Sequence, residues 1–293
     1  MLSSKLAIFL LIVSLVVISG CVTGGGDNVK KASKGLVISS WKPDFETVSP
    51  GQPVEFELSL TNLGQVDAEI GKIFFEGIDA KKWSVQTAEC DKLKSKTILP
   101  QGNEKCIVKA AAPDAPSGFR LSADPKVSVI YSYSTEAVKS LNIRSLDEAK
   151  RLFAESGQAI QVSDVKAQTD SPIEFDITTK TPITVFKNGL ATPVLMRIRN
   201  TGGGIVCSGN CEPKNIDKVG YTLSVVGEGV VLADTGCRPG IIDLINDANT
   251  IPCTKISLDK PEFENYPLIK FVAEYKYKTQ AATSVTVDNS GQI

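Results

Sequence analysis

The pattern of apolar and polar positions divides the chain into two similar halves. Residues 56–64 read FELSLTNLG, in which apolar and polar positions alternate up to an Asn-x-Gly turn. Residues 194–202 read VLMRIRNTG and repeat that alternation in the same frame. A period of two is typical of a half-buried β-strand, and glycine permits a left-handed turn. The repeat therefore predicts two β-rich domains.

Each half also ends on a long strand with a common signature. Residues 127–135 and 271–279 both alternate, and both finish in Tyr-x-Tyr-x-Thr. The tyrosines share a face with the neighbouring apolar residues, whereas Ser132, Ser134 and Lys276 lie on the other face. We therefore expect core tyrosines with hydroxyl groups at the rim of each domain, rather than an exposed aromatic platform.

One helix is predicted between the repeats. Ser145 and Glu148 form a capping box, residues 146–153 carry an apolar stripe, and Gly157 can end the helix. We interpret this helix as a connector whose apolar face packs on the domains. Short strands separated by Gly, Pro and Asn turns favour a β-sandwich on either side of it.

The first 20 residues predict a signal peptide. Lys5 precedes the apolar run Leu6–Ile18, which only Ser14 interrupts. This run has 13 residues, fewer than the roughly 20 that a bilayer core requires. Residues 22–34 are rich in Gly and Lys and predict a flexible tether.

The segment Ile18-Ser19-Gly20-Cys21 resembles the lipobox of bacterial and archaeal lipoproteins. The resemblance implies cleavage before Cys21 and a diacylglyceryl group on its thiol. Two acyl chains give stable anchoring. We therefore expect an extracytoplasmic protein whose contact with the cell membrane is the lipid on Cys21.

The cysteines predict disulfides. Seven occur, and six remain if Cys21 is lipidated. An even number in an exported chain favours three bridges. Cys90 and Cys106 are 16 positions apart, as are Cys237 and Cys253, so the repeat predicts an equivalent bridge in each half.

The remaining cysteines, Cys207–Cys211, lie in an insertion. Asn62 and Cys90 are 28 positions apart, whereas Asn200 and Cys237 are 37 apart. A third bridge within the insertion leaves the halves equivalent, which neither alternative pairing of the second-half cysteines does. The loop could be stapled for stability alone, but stapled loops on rigid scaffolds also favour binding. The candidate binding residues are Gly203, Gly204, Ser208, Gly209 and Asn210.

Composition excludes several classes of function. The chain has no histidine, which excludes mechanisms that need imidazole as acid, base or ligand. Its 32 basic and 33 acidic side chains form no basic block, so nucleic-acid binding has no electrostatic support. The cysteine spacing does not match a zinc ribbon, and the Asp and Asn residues of 243–249 do not match an EF-hand. We expect neither a metal nor a cofactor.

Two segments resemble the CARDB and related immunoglobulin-like modules of archaeal and bacterial surface proteins. Residues 51–64 follow G-x-P-V-x-F-x-L-x-L-x-N-x-G, and residues 112–119 follow A-P-x-A-P-x-G-F. The resemblance covers most of 35–145 and parts of 159–287. It implies an immunoglobulin-like sandwich with an adhesive, structural or scaffolding role and no catalytic residues.

The expected fold is all-β, with two tandem immunoglobulin-like β-sandwiches joined by a short helix behind a lipoprotein signal peptide. The predicted boundaries are 1–20 for the signal peptide, 21–34 for the lipidated cysteine and tether, 35–145 for the first sandwich, 146–158 for the linker helix, 159–288 for the second sandwich and 289–293 for a tail.

These features favour a lipid-anchored, non-enzymatic binding or scaffold protein of the cell envelope, with an envelope protein or a surface glycan as its partner. Two alternatives stay open. An accessory subunit of a transporter, secretion system or surface filament would co-purify with one complex. A carboxylate-based glycan-active enzyme would need a deep acidic cleft between the domains.

Overall fold

The computed structural model describes residues 34–157, 166–178, 183–185, 194–226, 230–232, 239–253, 256–258 and 264–291. The predicted signal peptide, Cys21, nearly all of the tether and Cys237 lie outside these residues. The described residues all belong to one compact unit, Lys31–Ile293. None of the helices described in these ranges is long and apolar enough to cross a membrane.

The first half contributes mainly strands, and their burial follows the predicted alternation. Its elements are β1 (Leu36–Pro43), β2 (Thr47–Val48), β3 (Pro53–Asn62), β4 (Ala68–Glu76), α1 (Ala88–Asp91), β5 (Thr97–Ile98), β6 (Asn103–Ala111), β7 (Arg120–Ala123), β8 (Lys126–Ser140), β9 (Ile143–Ser145) and α2 (Leu146–Ser156).

The second half contains more and shorter strands, including an additional one directly after its Asn-x-Gly turn. Its elements are β10 (Lys166–Gln168), β11 (Ile173–Ile177), β12 (Ile183–Val185), β13 (Val194–Asn200), β14 (Ile205–Cys207), a 3-10 turn (Pro213–Asn215), β15 (Lys218–Val226), β16 (Val230–Leu232), β17 (Gly240–Asp243), β18 (Ala248–Cys253), β19 (Ile256–Leu258), β20 (Glu264–Asn265), β21 (Leu268–Ala282) and β22 (Val285–Asp288).

A single eight-stranded sheet runs through both halves, with β8 and β21 as its central pair. These strands are antiparallel, and they place Tyr131 opposite Tyr277 and Tyr133 opposite Tyr275. In the repeat, Tyr131 corresponds to Tyr275 and Tyr133 to Tyr277, so the pairing relates the halves by a pseudo-two-fold axis. β4 and β5 extend the sheet on the first-half side, and β14, β15 and β17 extend it on the other.

Two three-stranded sheets cover one face of this central sheet, β1–β3–β6 over the first half and β11–β13–β18 over the second. Trp41 of β1 packs against Phe75 of β4 in the central sheet, with ring centroids 5.6 Å apart. Phe175 of β11 stacks on Phe271 of the central sheet at 4.4 Å. Side chains of facing sheets therefore form the core, as in a β-sandwich, and the predicted all-β class is confirmed.

The strands that follow the central pair cross over to the opposite half. β9 follows β8, but it pairs in parallel with β12 and antiparallel with β20. β22 follows β21, but it pairs in parallel with β2 and antiparallel with β7. The predicted boundaries of two tandem domains are wrong at these points, because residues 143–145 join the second half and residues 285–288 join the first. Local alternation predicts a strand but not its neighbours.

The connector helix α2 has the predicted ends. The Ser145 hydroxyl accepts a hydrogen bond from the Glu148 backbone N–H at 3.2 Å, and Gly157 ends the helix with φ 66°. The helix contacts β9 and β12. However, none of its side chains is buried, and Phe153 is 60% exposed. The predicted packing of its apolar face on the domains is therefore only partial.

Candidate functional site

The Asn-x-Gly turn of the second half closes on a tyrosine of the central pair. The Asn200 carboxamide oxygen accepts hydrogen bonds from the Tyr277 hydroxyl at 2.8 Å and from the Gly202 N–H at 3.2 Å. The Asn200 amide donates to the Gly204 carbonyl at 2.8 Å. The Gly204 N–H donates in turn to the Tyr277 hydroxyl at 2.8 Å. This network fixes the chain where it enters β14.

The first half builds the same turn. The Asn62 amide donates to the Val66 carbonyl at 2.7 Å, and its oxygen accepts from the Gly64 N–H at 3.1 Å. The Val66 N–H donates to the Tyr133 hydroxyl at 3.4 Å. The repeat seen in the sequence therefore marks a shared turn that docks on the second tyrosine of each Tyr-x-Tyr pair.

Glycine is required in these turns by close packing. Neither Gly64 nor Gly202 has a positive φ, so the predicted left-handed backbone is wrong. A Cβ added to Gly64 would collide with the Tyr133 hydroxyl, and one added to Gly202 would lie 2.6 Å from the Tyr277 hydroxyl. The residues around each glycine do not reveal this requirement, because the tyrosine that imposes it is far away in the sequence.

The four central tyrosines are buried, as predicted. The hydroxyl groups of Tyr133 and Tyr277 lie against the turns, as described above, whereas those of Tyr131 and Tyr275 lie deeper in the core. The Tyr131 hydroxyl accepts from the Leu36 N–H at 3.2 Å, and the Tyr275 hydroxyl lies 2.9 Å from the Thr135 hydroxyl. Burial raises the pKa of Tyr131 well above its usual value, and it raises the pKa of Tyr277 to about 12. These side chains are structural and leave the opposite face of the central sheet to polar residues.

The two halves diverge immediately after the turn. In the first half, Ile70 pairs with Tyr131 and Lys72 with Ile130, so Gly71 forms a one-residue bulge. In the second half, the equivalent strand breaks between β14 and β15.

The register gives the size of this insertion. Glu69 pairs with Ser132, and Cys207 pairs with the repeat-equivalent Lys276. Lys72 pairs with Ile130, and Gly220 pairs with the equivalent Glu274. The spacing is 72 − 69 = 3 in the first half and 220 − 207 = 13 in the second, so ten residues are added.

The inserted segment is held to itself by covalent and hydrogen bonds. Cys207 is fully buried and forms a disulfide with Cys211. The Ser208 N–H donates to the Asn215 carbonyl at 3.1 Å, and the Asn215 amide donates to the Asn210 carbonyl at 3.0 Å. These bonds therefore hold the loop in one conformation, and the loop forms a preformed wall on the surface of the protein.

A groove of about 510 Å³ opens on the polar face of the central sheet beside this wall. Gly209 lines it on the insertion side, and Thr97 of β5 lines it on the first-half side. Its polar lining comes from both halves and consists of Asp67, Glu69, Ser132, Ser134, Glu274 and Lys276.

The charged groups of this groove are concentrated on one polar surface. Asp67, Glu69, Glu274 and Lys276 form no ion pair with any described residue. On other faces some carboxylates are paired, such as Glu174 with Arg199 at 2.7 Å, whereas others, such as Glu76, have no ion pair with a described residue. Unpaired charges around a solvent-open groove can be neutralised by a ligand at little desolvation cost.

The structure brings only part of the predicted binding loop to this groove. Gly209 lines it, whereas Gly203 and Gly204 belong to the Asn-x-Gly turn, and Ser208 and Asn210 contribute backbone groups to the insertion. Sequence reasoning missed the residues from β4, β8 and β21. The sequence does show that Ser132, Ser134 and Lys276 occupy the polar face of their strands. It does not show that β8 and β21 lie side by side.

Two of the three predicted bridges are present. Cys90 of α1 is linked to Cys106 of β6, and both are buried in the first half. The insertion carries the second bridge, as described above. Because Cys237 lies outside the described residues, the bridge to Cys253 stays a prediction.

The Asp and Asn residues of 243–249 form a polar turn, as expected. The Ile245 N–H donates to the Ala248 carbonyl at 3.0 Å. Asn246 and Asp247 have φ of 52° and 66°, which these residue types tolerate better than most. Within the part of the chain that the structure describes, no three His, Cys, Asp or Glu side chains are grouped as metal ligands.

Comparisons with known proteins do not assign this chain to a family. No family model and no curated protein sequence matches the chain. The secreted serine protease VesC from Vibrio cholerae is similar with a TM-score of 0.25 and 9% identity over 90% of this chain, which spans about half of that protein (53%). The Enterococcus faecalis MSCRAMM ACE is similar with a TM-score of 0.15 and 7% identity, over 88% of this chain and 97% of its own length. Scores this low support no argument about fold or activity.

Proposed function

We propose that this chain is a lipid-anchored, non-enzymatic binding or scaffold protein on the extracytoplasmic side of the cell envelope. The observation that carries the proposal is the groove on the polar face of the shared sheet. Its floor is a paired β-sheet, its wall is a disulfide-closed loop, and its charges have no ion-pair partner among the described residues.

The rigidity of the groove supports binding as its role. A preformed site avoids much of the entropy cost of ordering side chains and loops when a ligand arrives. The central strands β8 and β21 are paired along their whole length, so the floor cannot shift without breaking the sheet. The insertion is a surface loop held by this scaffold, and such loops commonly carry binding residues.

The anchor supports the location. The lipobox-like segment ending at Cys21 precedes the folded unit by a Gly- and Lys-rich stretch. A dual acyl chain on Cys21 would hold the groove near the membrane surface. Partners reached from there are other envelope proteins and surface glycans.

In-cell crosslinking of the full chain, followed by mass spectrometry, tests this function. We expect one or a few captured envelope partners, lost when Cys21→Ser removes the anchor. We also expect the double substitution Glu69→Lys and Glu274→Lys to abolish capture. A matched control is Glu55→Lys on β3, since Glu55 is ion-paired with Lys109 at 3.4 Å outside the groove.

The outcomes separate the components of the proposal. Unchanged capture by the groove variant would place the binding surface elsewhere. Absence of fatty-acid labelling on the wild-type chain would refute the anchor. A single stoichiometric partner would make the protein a dedicated subunit of one envelope complex, whereas broad capture of glycan-bearing material would make it a general surface binder.

A further inference from the structure

The carboxyl-terminal strand of the chain occupies a slot in the amino-terminal half. β22 lies between β2 and β7. Val285 and Val287 are fully buried there, as is Val48 of β2. The Thr286 N–H donates to the Glu46 carbonyl at 2.9 Å. The slot therefore receives alternate apolar side chains and backbone hydrogen bonds, as in strand addition.

The residues that follow the strand are also fixed. The Arg120 guanidinium pairs with Asp288 at 2.9 Å, and the Asp288 side chain is only 5% exposed. The Asn289 amide donates to the Ala115 carbonyl at 2.6 Å, and its N–H donates to the Phe119 carbonyl at 3.0 Å. Asn289 was predicted to belong to a tail, but it is part of the seated segment.

The exchange is reciprocal. β9 occupies the equivalent position between β12 and β20 of the second half, and Ile143 is buried there. Both disulfides among the described residues stay within one half. The halves are therefore interlocked by strands rather than by a bridge in the described part of the chain.

We propose that the slot between β2 and β7 is a strand-acceptor site for an extended Val-x-Val-Asp-Asn segment, supplied by residues 285–289 of the same chain. Without that segment, β2 and β7 are left as open edges with a gap in the core beneath them. The amino-terminal half thus completes its fold only when residues 285–289 arrive. A chain that stops short of β22 leaves this slot empty.

The chain contains its own reporter for this event. Its two tryptophans, Trp41 and Trp83, both lie in the first half and are buried. The Trp41 indole N–H donates to the Pro125 carbonyl at 3.0 Å, and the Thr283 N–H donates to the same carbonyl at 3.1 Å. Loss of the terminal segment should therefore change tryptophan emission more than 150 residues away in sequence.

Deletion of residues 283–293 tests the proposal, with deletion of 292–293 as the matched control. We expect the longer deletion to red-shift tryptophan emission and lower the melting temperature, while the control matches the full chain. The peptide TSVTVDNSG, which reproduces residues 283–291, should restore emission when added. The same peptide with Val285→Asp and Val287→Asp should not.

If the longer deletion cannot be folded, substitutions in the full chain give the same answer. Val287→Asp places a charge in the slot and should alter tryptophan emission, whereas Thr286→Asp on the partly exposed side of the strand should not. Unchanged emission in the deletion variant would overturn the proposal. So would equal effects of Val287→Asp and Thr286→Asp, or rescue by the substituted peptide.

Discussion

The two halves build one turn in the same way and then differ at the adjacent edge strand. Asn62 and Asn200 each order an Asn-x-Gly turn against a buried tyrosine. Beyond the turn, Gly71 forms a one-residue bulge in the first half, whereas the second half carries a ten-residue insertion closed by a disulfide. The comparison teaches that the buried scaffold is duplicated, while the exposed edge that walls the groove exists once.

The difference has a physical basis. A bulge or insertion at an edge strand disturbs few core contacts, because its added residues project into solvent. A larger side chain in the turn would collide with a buried tyrosine, and loss of a turn residue would leave buried polar groups without hydrogen-bond partners. Duplication therefore preserves the turn and lets the edge diverge.

The largest expected effect contrasts the two disulfides. Replacing Cys90 and Cys106 by alanine should lower the free energy of unfolding by about 3 kcal/mol, because the bridge closes a loop of 15 residues. Replacing Cys207 and Cys211 should cost less, because only three residues lie between them. Denaturant unfolding of both variants measures the difference. Equal losses would show that the insertion also supports the scaffold.

A smaller effect tests whether the two turns are equivalent. Gly64→Ala and Gly202→Ala should each lower the free energy of unfolding by about 2 kcal/mol, because the added methyl overlaps a buried tyrosine hydroxyl. Gly220→Ala is the control, since its nearest neighbour would be 3.8 Å from the new Cβ. Thermal or denaturant unfolding gives the values. If only one turn variant is destabilised, the halves do not share this constraint.

The smallest effect is a loss of stability that is absent at neutral pH and appears under alkaline conditions. Burial raises the pKa of Tyr277 to about 12, whereas a tyrosine in the unfolded chain has a pKa of about 10. The unfolded state then binds fewer protons than the folded state above pH 10, so stability is complete below that value and falls as pH rises through 12. Unfolding followed against pH, with tyrosinate absorbance as the second probe, measures this.

Substitution of single tyrosines measures how much each half contributes to the alkaline loss of stability. Tyr277→Phe should reduce the slope of stability against pH. Tyr133→Phe should also reduce it, since burial raises the Tyr133 pKa as well, with added repulsion from Asp170 and Asp67. A slope unchanged by both substitutions would show that the alkaline loss arises from other groups.

Several features were determined by the sequence itself. Alternation at residues 56–64 and 194–202 predicted strands that are present as β3 and β13. The helix ends at Ser145 and Gly157 followed from local capping rules. Cysteine arithmetic predicted the bridges Cys90–Cys106 and Cys207–Cys211. All of these depend on neighbours in sequence or on a repeat that can be counted.

Only the tertiary structure decided how the halves join and where the groove lies. The pairing of β8 with β21 brings together strands about 140 residues apart, and the exchange of β9 and β22 reverses the assignment that chain order suggests. The pairing of β4 with β8 places Glu69 beside Ser132, and the pairing of β8 with β21 places Lys276 beside Ser132. An alternating pattern fixes which face of a strand is buried, but it carries no information about which edge the strand meets.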